Sequence, residues 1–194
     1  PRQAFTVLFL TAGGTVAFYT YTTYLQKYLV NTSGFSKPEA TQITTLALFI
    51  FMCLQPFAGA LSDKIGRKPL MISFGVLGVL FTYFLFDKLG QTQDYWSAFW
   101  ICLVGLVIVT GYTSINAVVK AEMFPAHIRA LGVALPYALA NTLFGGTAEF
   151  FALSFKEAGY ESWYFIYVTI LISISLIVYI FMKDTKHHSE IKEH

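Results

Sequence analysis

Charged side chains are scarce in this sequence. Asp, Glu, Lys and Arg make up 12% of its 194 residues, and hydrophobic residues make up 56%, whereas about 25% charged residues is usual in a soluble domain. That composition excludes a globular protein that covers itself with polar side chains in water. The net charge is only +2 and no basic stripe is interleaved with aromatic residues, so we expect no nucleic-acid partner. We expect a lipid bilayer to be the solvent of the fold.

Metal-ligating and catalytic side chains are equally sparse. The two cysteines, Cys53 and Cys102, lie inside apolar runs without the spacing of a metal site. His187 and His188 lie in a polar tail, 183–194, which we predict to be a solvated cytoplasmic extension. The apolar runs hold no paired carboxylates and no Ser-His-Asp set. We therefore expect neither an enzyme nor a bound metal or other cofactor.

Six apolar stretches divide the sequence, and each is close to the roughly 20 residues that a helix needs to cross a bilayer. They lie near 4–28, 41–61, 70–88, 95–119, 129–155 and 162–182. Short segments rich in Gly, Pro and polar residues separate them. These features predict an all-α integral membrane fold, with six transmembrane helices in residues 1–182 and both termini on the same side.

The distribution of Lys and Arg predicts which side that is. Four lie on the side opposite to the termini, namely Lys27, Lys37, Lys88 and Lys156. Nine lie on the side of the termini, namely Arg2, Lys64, Arg67, Lys68, Lys120, Arg129, Lys183, Lys186 and Lys192. Basic residues accumulate in cytoplasmic loops. We therefore predict a multi-pass plasma-membrane protein with a cytoplasmic C-terminus.

Polar side chains form a stripe along one face of the first predicted span. Thr11, Thr15, Tyr19, Thr22 and Gln26 follow one another at steps of four, four, three and four residues, the spacing of one helical face. A single hydroxyl is explained by hydrogen bonding between helices in a bilayer, but five polar groups in register predict a cavity. Similar stripes hold Thr113, Asn116 and Lys120 on the fourth span and Tyr137, Asn141 and Gly145 on the fifth. Of these we expect Asn116, Tyr137 and Asn141 to line the cavity.

The third and sixth spans carry few polar residues, and this pattern repeats every three spans. Because three is an odd number of crossings, the second repeat would be inverted relative to the first. Inverted three-helix repeats are typical of secondary transporters, in which substrate lies between two six-helix halves. A half alone would expose its cavity to lipid, so we expect either a missing half or a second copy. The sequence begins at Pro1 without Met or a signal peptide, and we interpret it as part of a longer polypeptide.

A charged motif lies between the second and third spans: Gly59-Ala-Leu-Ser-Asp63-Lys64-Ile-Gly66-Arg67-Lys68-Pro69. Its glycines and cations predict a stiff turn anchored at the cytoplasmic surface. Its spacing, G-x3-D-[RK]-x-G-[RK]-[RK], resembles the signature loop of the major facilitator superfamily. The resemblance implies a gating role for Asp63, Arg67 and Lys68 through contacts with the other half of such a transporter.

A second motif follows the fourth span, where Glu122 and Arg129 flank Pro125. We expect these two residues to form a charge pair across the turn that the proline makes. The pattern E-x-x-P-x-x-x-R-x-x-G again resembles the superfamily, and Phe144-Gly-Gly-Thr-Ala-Glu149 is similar to its metabolite:proton symporter branch. Within that branch, residues 18–67 are most similar to transporters of α-ketoglutarate. The resemblance covers the whole chain and implies proton symport of a C5 dicarboxylate across a bacterial inner membrane, driven by the proton gradient.

Proton coupling and anion binding need charged groups. Glu149 lies within the fifth predicted span and is our candidate proton carrier; the alternative is an ion pair with Lys27 or Lys156 at the outer end. Arg is the usual partner of a carboxylate, but no Arg lies in the middle of a span. Lys120 lies near a cytoplasmic end, so we expect the anion-binding arginines in a missing N-terminal half of the same polypeptide.

Three other interpretations remain open at this stage. The chain could belong to a related symporter for proline, betaine, citrate or shikimate. It could belong to a facilitator with the same spans and no proton coupling. It could also be a non-transporting membrane scaffold or sensor, in which another helix would fill the polar face of the first span.

Overall fold

The computed structural model describes residues 2–185, and helices are the only regular structure among them. The α-helices are α1 (Arg2–Tyr19), α2 (Leu25–Asn31), α3 (Lys37–Ile65), α4 (Arg67–Gln91), α5 (Tyr95–Thr113), α6 (Asn116–Glu122), α7 (Arg129–Ala140), α8 (Ala148–Glu157) and α9 (Glu161–Phe181). Two π-helical turns, Thr20–Tyr24 and Asn141–Gly145, connect α1 to α2 and interrupt the path from α7 to α8. The predicted all-α fold is confirmed. The predicted tail from 186 onward, with His187 and His188, lies outside the described residues.

Within residues 2–185, five helical stretches are long and apolar enough to cross a membrane by length and composition. They are Gln3–Asn31, Lys37–Ile65, Arg67–Gln91, Tyr95–Glu122 and Glu161–Phe181. The stretch predicted as the fifth of six spans contains α7, the second π turn and α8, and a turn at 146–147 divides it. A sixth span over this stretch therefore stays a prediction.

Local sequence explains where several helices begin. Ser36 caps α3: its hydroxyl accepts a hydrogen bond from the backbone N–H of Glu39, whose carboxylate accepts one from the N–H of Ser36. Asp94 caps α5 in the same way by accepting from the N–H of Ser97 at 2.8 Å. Gly66 has φ of 101°, a conformation that glycine adopts without strain, and it separates α3 from α4. Each short loop therefore carries the residue types that its turn requires.

The strongest helix contacts follow a repeat of three spans. They join α1 to α9, α4 to α5, α3 to α5, α1 to α7 and α4 to α9. Exchanging the two repeats replaces α1 with α5, α3 with α7 and α4 with α9, and the reverse. Under this exchange the α1–α9 contact becomes the α5–α4 contact, the α3–α5 contact becomes the α7–α1 contact, and the α4–α9 contact is unchanged. This is the packing expected of two three-helix repeats related by a two-fold axis.

Large apolar side chains cover much of the outer surface. Leu80, Leu131 and Phe181 are 64%, 72% and 84% exposed. A soluble monomer rarely exposes contiguous apolar patches of this kind. Together with the long apolar helices, this surface fits a multi-pass membrane protein.

Glycine permits the closest contact between α1 and α9. The N–H of Gly13 donates to the Ser175 hydroxyl at 2.9 Å. A methyl group added at Gly13 would lie 2.5 Å from the carbonyl oxygen of Leu171 and 2.7 Å from the Cα of Ile172. Both are backbone atoms, so the two helices would have to move apart.

Gly13→Ala is therefore expected to destabilise the protein by roughly 1–3 kcal/mol, the usual cost of overpacking. Thermal unfolding of the purified protein in detergent measures the change. The matched control is Gly59→Ala in α3, where an added methyl group has nothing within 4 Å and alanine favours the helix. Equal stability of the two variants would contradict the close α1–α9 contact.

Candidate functional site

A polar cleft of about 260 Å³ lies between α1, α5, α6, α7 and the second π turn. Its lining is Thr15, Phe18, Tyr19, Tyr112, Thr113, Asn116, Tyr137 and Asn141. Five of the predicted cavity residues, Thr15, Tyr19, Asn116, Tyr137 and Asn141, are thus brought together. They come from the first, fourth and fifth predicted spans, and the two farthest apart in sequence, Thr15 and Asn141, are separated by 126 residues. Seven of the eight lining residues carry a hydroxyl or amide group, and a few such groups among apolar surface are typical of a site that orients a small ligand.

Contacts between elements hold this lining in place. The Thr15 hydroxyl donates to Asn141 Oδ1 at 3.2 Å and so joins α1 to the second π turn. Gly145 lies in the same turn, where an added methyl group would meet Tyr19 at 2.5 Å and Thr15 at 2.8 Å. Close approach of the π turn to α1 therefore depends on the absence of a side chain at position 145. Single π turns inside helices are frequent at functional sites.

Thr22 and Gln26 lie outside the lining of the cleft. The first π turn, Thr20–Tyr24, adds a residue to the helical turn and shifts the phase of the residues that follow. The Thr22 hydroxyl donates to the Phe18 carbonyl at 2.6 Å, and Gln26 Nε2 donates to the Thr41 hydroxyl on α3 at 2.7 Å. Thr11, at the other end of the stripe, is fully buried, and its hydroxyl donates to the Val7 carbonyl at 2.6 Å. Of the five residues in the predicted stripe, Thr15 and Tyr19 line the cleft.

In and after the first π turn, several residues that face the interior of the helical bundle are aromatic, and none of these belongs to the predicted polar stripe. Tyr21, Tyr24 and Tyr28 are buried. Tyr21 and Tyr28 pack against Phe86, and Tyr28 also packs against Phe165, whose ring stacks on that of Phe86 with centroids 4.3 Å apart. Tyr24 packs against Tyr28. The Tyr28 hydroxyl donates to the Phe86 carbonyl at 2.7 Å. This aromatic core packs the C-terminal part of the first span against α4 and α9.

The floor of the cleft is formed by Tyr112, Thr113 and Asn116, where α5 ends and α6 begins. Asn116 Nδ2 donates to the carbonyl of Thr113 at 3.0 Å across the turn. The Thr113 hydroxyl donates to Gln55 Oε1 on α3 at 2.9 Å. Tyr112 was missed by the sequence analysis, although its spacing of four residues from Asn116 was a usable signal.

Lys120 was predicted near one end of the fourth span, on a polar stripe with Thr113 and Asn116. It is only 1% exposed, whereas lysine is rarely buried to this extent. Nζ donates to Asn116 Oδ1 at 3.0 Å and to the Tyr112 hydroxyl at 3.4 Å. It also lies 4.0 Å from the centroid of the Tyr137 ring. Lys120 therefore contacts three residues that line the cleft.

Glu149, the predicted proton carrier, lies away from the cleft. It forms an ion pair with Lys27, and both side chains are partly exposed. The pair joins α8 to α2 and is one of the two ion pairs that the sequence offered for Glu149. Proton coupling through Glu149 stays a prediction. A second ion pair joins Lys156 in α8 to Glu161 at the start of α9, at 3.3 Å. The Tyr24 hydroxyl donates to the Glu161 carboxylate at 2.7 Å.

The signature loop forms a charged network around Arg67, whose side chain is 13% exposed. Arg67 Nη1 donates to Asp63 at 2.5 Å and Nη2 donates to Glu122 at 3.4 Å. Its backbone N–H donates to the Asp184 carboxylate at 3.1 Å. Lys68 Nζ donates to the Ile180 carbonyl at 2.6 Å. The loop is thus fastened to α6, to the last turn of α9 and to Asp184 after it.

The other members of the motif surround this network. Gly59 lies within α3, and its carbonyl accepts from the Ser62 hydroxyl at 2.7 Å. Lys64 is exposed on the last turn of α3, and Gly66 makes the turn to α4. A gating role for these residues stays a prediction.

The structure pairs Glu122 with Arg67 and not with Arg129. Glu122 also accepts from the Thr185 hydroxyl at 2.5 Å, while Arg129 Nε donates to the carbonyl of Phe124 at 3.2 Å. The turn around Pro125 directs the arginine to the backbone of its own loop, and Glu122 faces the turn between α3 and α4. The predicted ion pair between Glu122 and Arg129 is therefore wrong, and the partner of Glu122 is Arg67.

Similarity to known proteins extends over almost the whole chain. The profile of the family described as sugar (and other) transporter matches residues 1–193. The alpha-ketoglutarate permease of Escherichia coli is 51% identical over 178 residues, which are 91% of this chain and 41% of the permease. The ectoine/proline transporter of Corynebacterium glutamicum is 27% identical over 91% of this chain and 35% of its own length.

A citrate-proton symporter of Salmonella typhi is 26% identical over 71% of this chain and 32% of its own length. The chain thus spans 41% of the permease and about a third of the other two relatives. No solved structure matches it.

Proposed function

Because this chain belongs to the sugar (and other) transporter family of the major facilitator superfamily, we propose that it is the C-terminal half of a proton symporter for a small organic anion, α-ketoglutarate in particular. It would act by alternating access together with a six-helix N-terminal half of the same polypeptide. Substrate would bind between the halves, near the middle of the bilayer.

One observation carries the choice of substrate. Identity to the alpha-ketoglutarate permease is 51% over 91% of the chain, and it falls to 27% and 26% for the ectoine/proline transporter and the citrate-proton symporter. A related symporter for proline, betaine, citrate or shikimate is thus the weaker alternative.

The cleft supports binding of a polar ligand. Tyr19, Asn116 and Asn141 present hydroxyl and amide groups to one space, and a dicarboxylate with a keto group needs donors of this kind to orient it. The remaining anion-binding groups would come from the N-terminal half. The proton gradient would drive uptake without a cofactor, in a bacterial inner membrane with the C-terminus in the cytoplasm.

Uptake of labelled α-ketoglutarate into proteoliposomes tests this proposal. The full-length polypeptide is reconstituted and uptake is compared with and without an inward proton gradient. We expect accumulation above the external concentration only with the gradient. Equilibration that ignores the gradient would indicate a facilitator, and absence of uptake with every carboxylate and betaine tested would favour the scaffold or sensor.

A further inference from the structure

Lys120 is a buried cation beside the cleft. We propose that its ammonium group binds a carboxylate of the transported anion at the floor of that cleft. This inference rests on the proposed function. It assigns an anion-binding charge to this half of the transporter, in addition to any that the N-terminal half supplies.

Burial without a counter-charge is the first observation. Lys120 is one of the largest fully buried side chains among residues 2–185. Within the same range, no salt bridge pairs it with a carboxylate: the acids of the four pairs are Glu149, Asp63, Glu122 and Glu161, and their partners are other cations. A charged group is expensive to bury without a partner. An ammonium group kept in this position fits a site that receives its negative charge from a ligand.

The neighbours of Lys120 form the second observation. Its contacts are neutral: the Asn116 amide oxygen, the Tyr112 hydroxyl and the face of the Tyr137 ring. All three residues line the cleft, so the ammonium group lies one side chain behind the space that a ligand would occupy. The contacts keep it positioned, and each is weaker than a charge-assisted hydrogen bond to a carboxylate. A carboxylate that reaches the floor can therefore replace one of them.

Tyr137 is the neighbour most able to move. Its side chain is 39% exposed, whereas Tyr112 is buried under α1 and α4 and would collide with a methyl group at Gly14. Rotation of the Tyr137 ring away from Lys120 would open a path from the cleft to Nζ. Asn116 would then share the ligand carboxylate with the ammonium group.

Competition by two ligands of equal length but different charge tests the assignment. Uptake of labelled α-ketoglutarate by the full-length polypeptide is inhibited with glutarate, which has two carboxylates, or with pentanoate, which has one. In the wild type we expect glutarate to compete much better. Lys120→Met is expected to raise the inhibition constant of glutarate by roughly 10- to 100-fold, which corresponds to the loss of a hydrogen bond to a charged group. The inhibition constant of pentanoate is expected to stay nearly unchanged.

Three further variants make the result decisive. Lys120→Arg keeps the charge and is expected to keep the preference for glutarate. Lys120→Gln keeps hydrogen-bonding capacity toward Asn116 and Tyr112, and it replaces Lys120→Met if the latter does not fold. Lys88→Met removes a lysine on α4 that lies over the Phe84 ring at 6.0 Å and outside the lining of the cleft, and it is expected to change neither inhibition constant.

The possible failures are distinguishable. If the wild type does not take up α-ketoglutarate, the proposed function fails. If the wild type transports it and both neutral variants keep the preference for glutarate, the assignment of Lys120 is wrong while the proposed function stands. Equal weakening of glutarate and pentanoate would also overturn the assignment, because it would reveal a general defect of the cleft.

Discussion

Arg67→Met is expected to lower the free energy of unfolding by about 3 kcal/mol, the scale of breaking a buried ion pair from one side. The guanidinium group of Arg67 contacts two carboxylates, Asp63 and Glu122, and the substitution removes it from between them. The backbone N–H of residue 67, which donates to Asp184, is kept. The cost comes mainly from Glu122, whose side chain is 11% exposed. Asp63 is 67% exposed, and exposed pairs contribute at most about 1 kcal/mol.

A double-mutant cycle separates this cause from lost packing. Glu122→Gln in the Arg67→Met background removes the uncompensated negative charge, so the double variant is expected to be more stable than Arg67→Met alone. Lys68→Met is the matched control, because Lys68 Nζ donates only to the Ile180 carbonyl among the contacts described for it. Thermal unfolding in detergent measures the wild type, Arg67→Met, Glu122→Gln, the double variant and Lys68→Met. No recovery in the double variant would contradict the role given to Glu122.

Local patterns predicted what depends on neighbouring residues. Apolar runs gave the helices, and the cap at Ser36 and the turn at Gly66 lie where the sequence placed breaks. Thr15 and Tyr19 of the polar stripe line the cleft, because α1 is a regular helix to Tyr19. Thr22 and Gln26 lie outside its lining, since nothing in the spacing of the polar residues signals the π turn that begins at Thr20.

Distant contacts account for the other differences. Sequence position put Lys120 among the cytoplasmic cations, but Tyr137, from the next predicted span, covers its ammonium group. Glu122 was paired with the nearest cation across the turn, whereas the α3–α4 turn brings Arg67 to it from 55 residues away. Charge partners in a helical bundle depend on which helices pack together, and that order cannot be taken from spacing along the chain.

Glu149→Gln is expected to abolish gradient-driven accumulation of α-ketoglutarate while exchange of labelled for unlabelled substrate continues. Glutamine imitates the protonated acid, so a carrier that must lose its proton on each cycle would stop coupling. The structure provides a physical link, because Glu149 pairs with Lys27 and so joins α8 to α2. Protonation would remove the charge that holds this pair and would free the two helices from each other.

Two variants decide whether the proton or the ion pair matters. Lys27→Met breaks the same pair but keeps the carboxyl group at position 149, so accumulation is expected to be reduced but to remain above the external concentration. Glu157→Gln removes a negative charge from the same helix without touching the pair and is expected to behave as the wild type. If Lys27→Met and Glu149→Gln lose accumulation equally, the pair acts by fastening α2 to α8 and the coupling acid lies elsewhere. If Glu149→Gln accumulates substrate normally, Glu149 has no part in coupling.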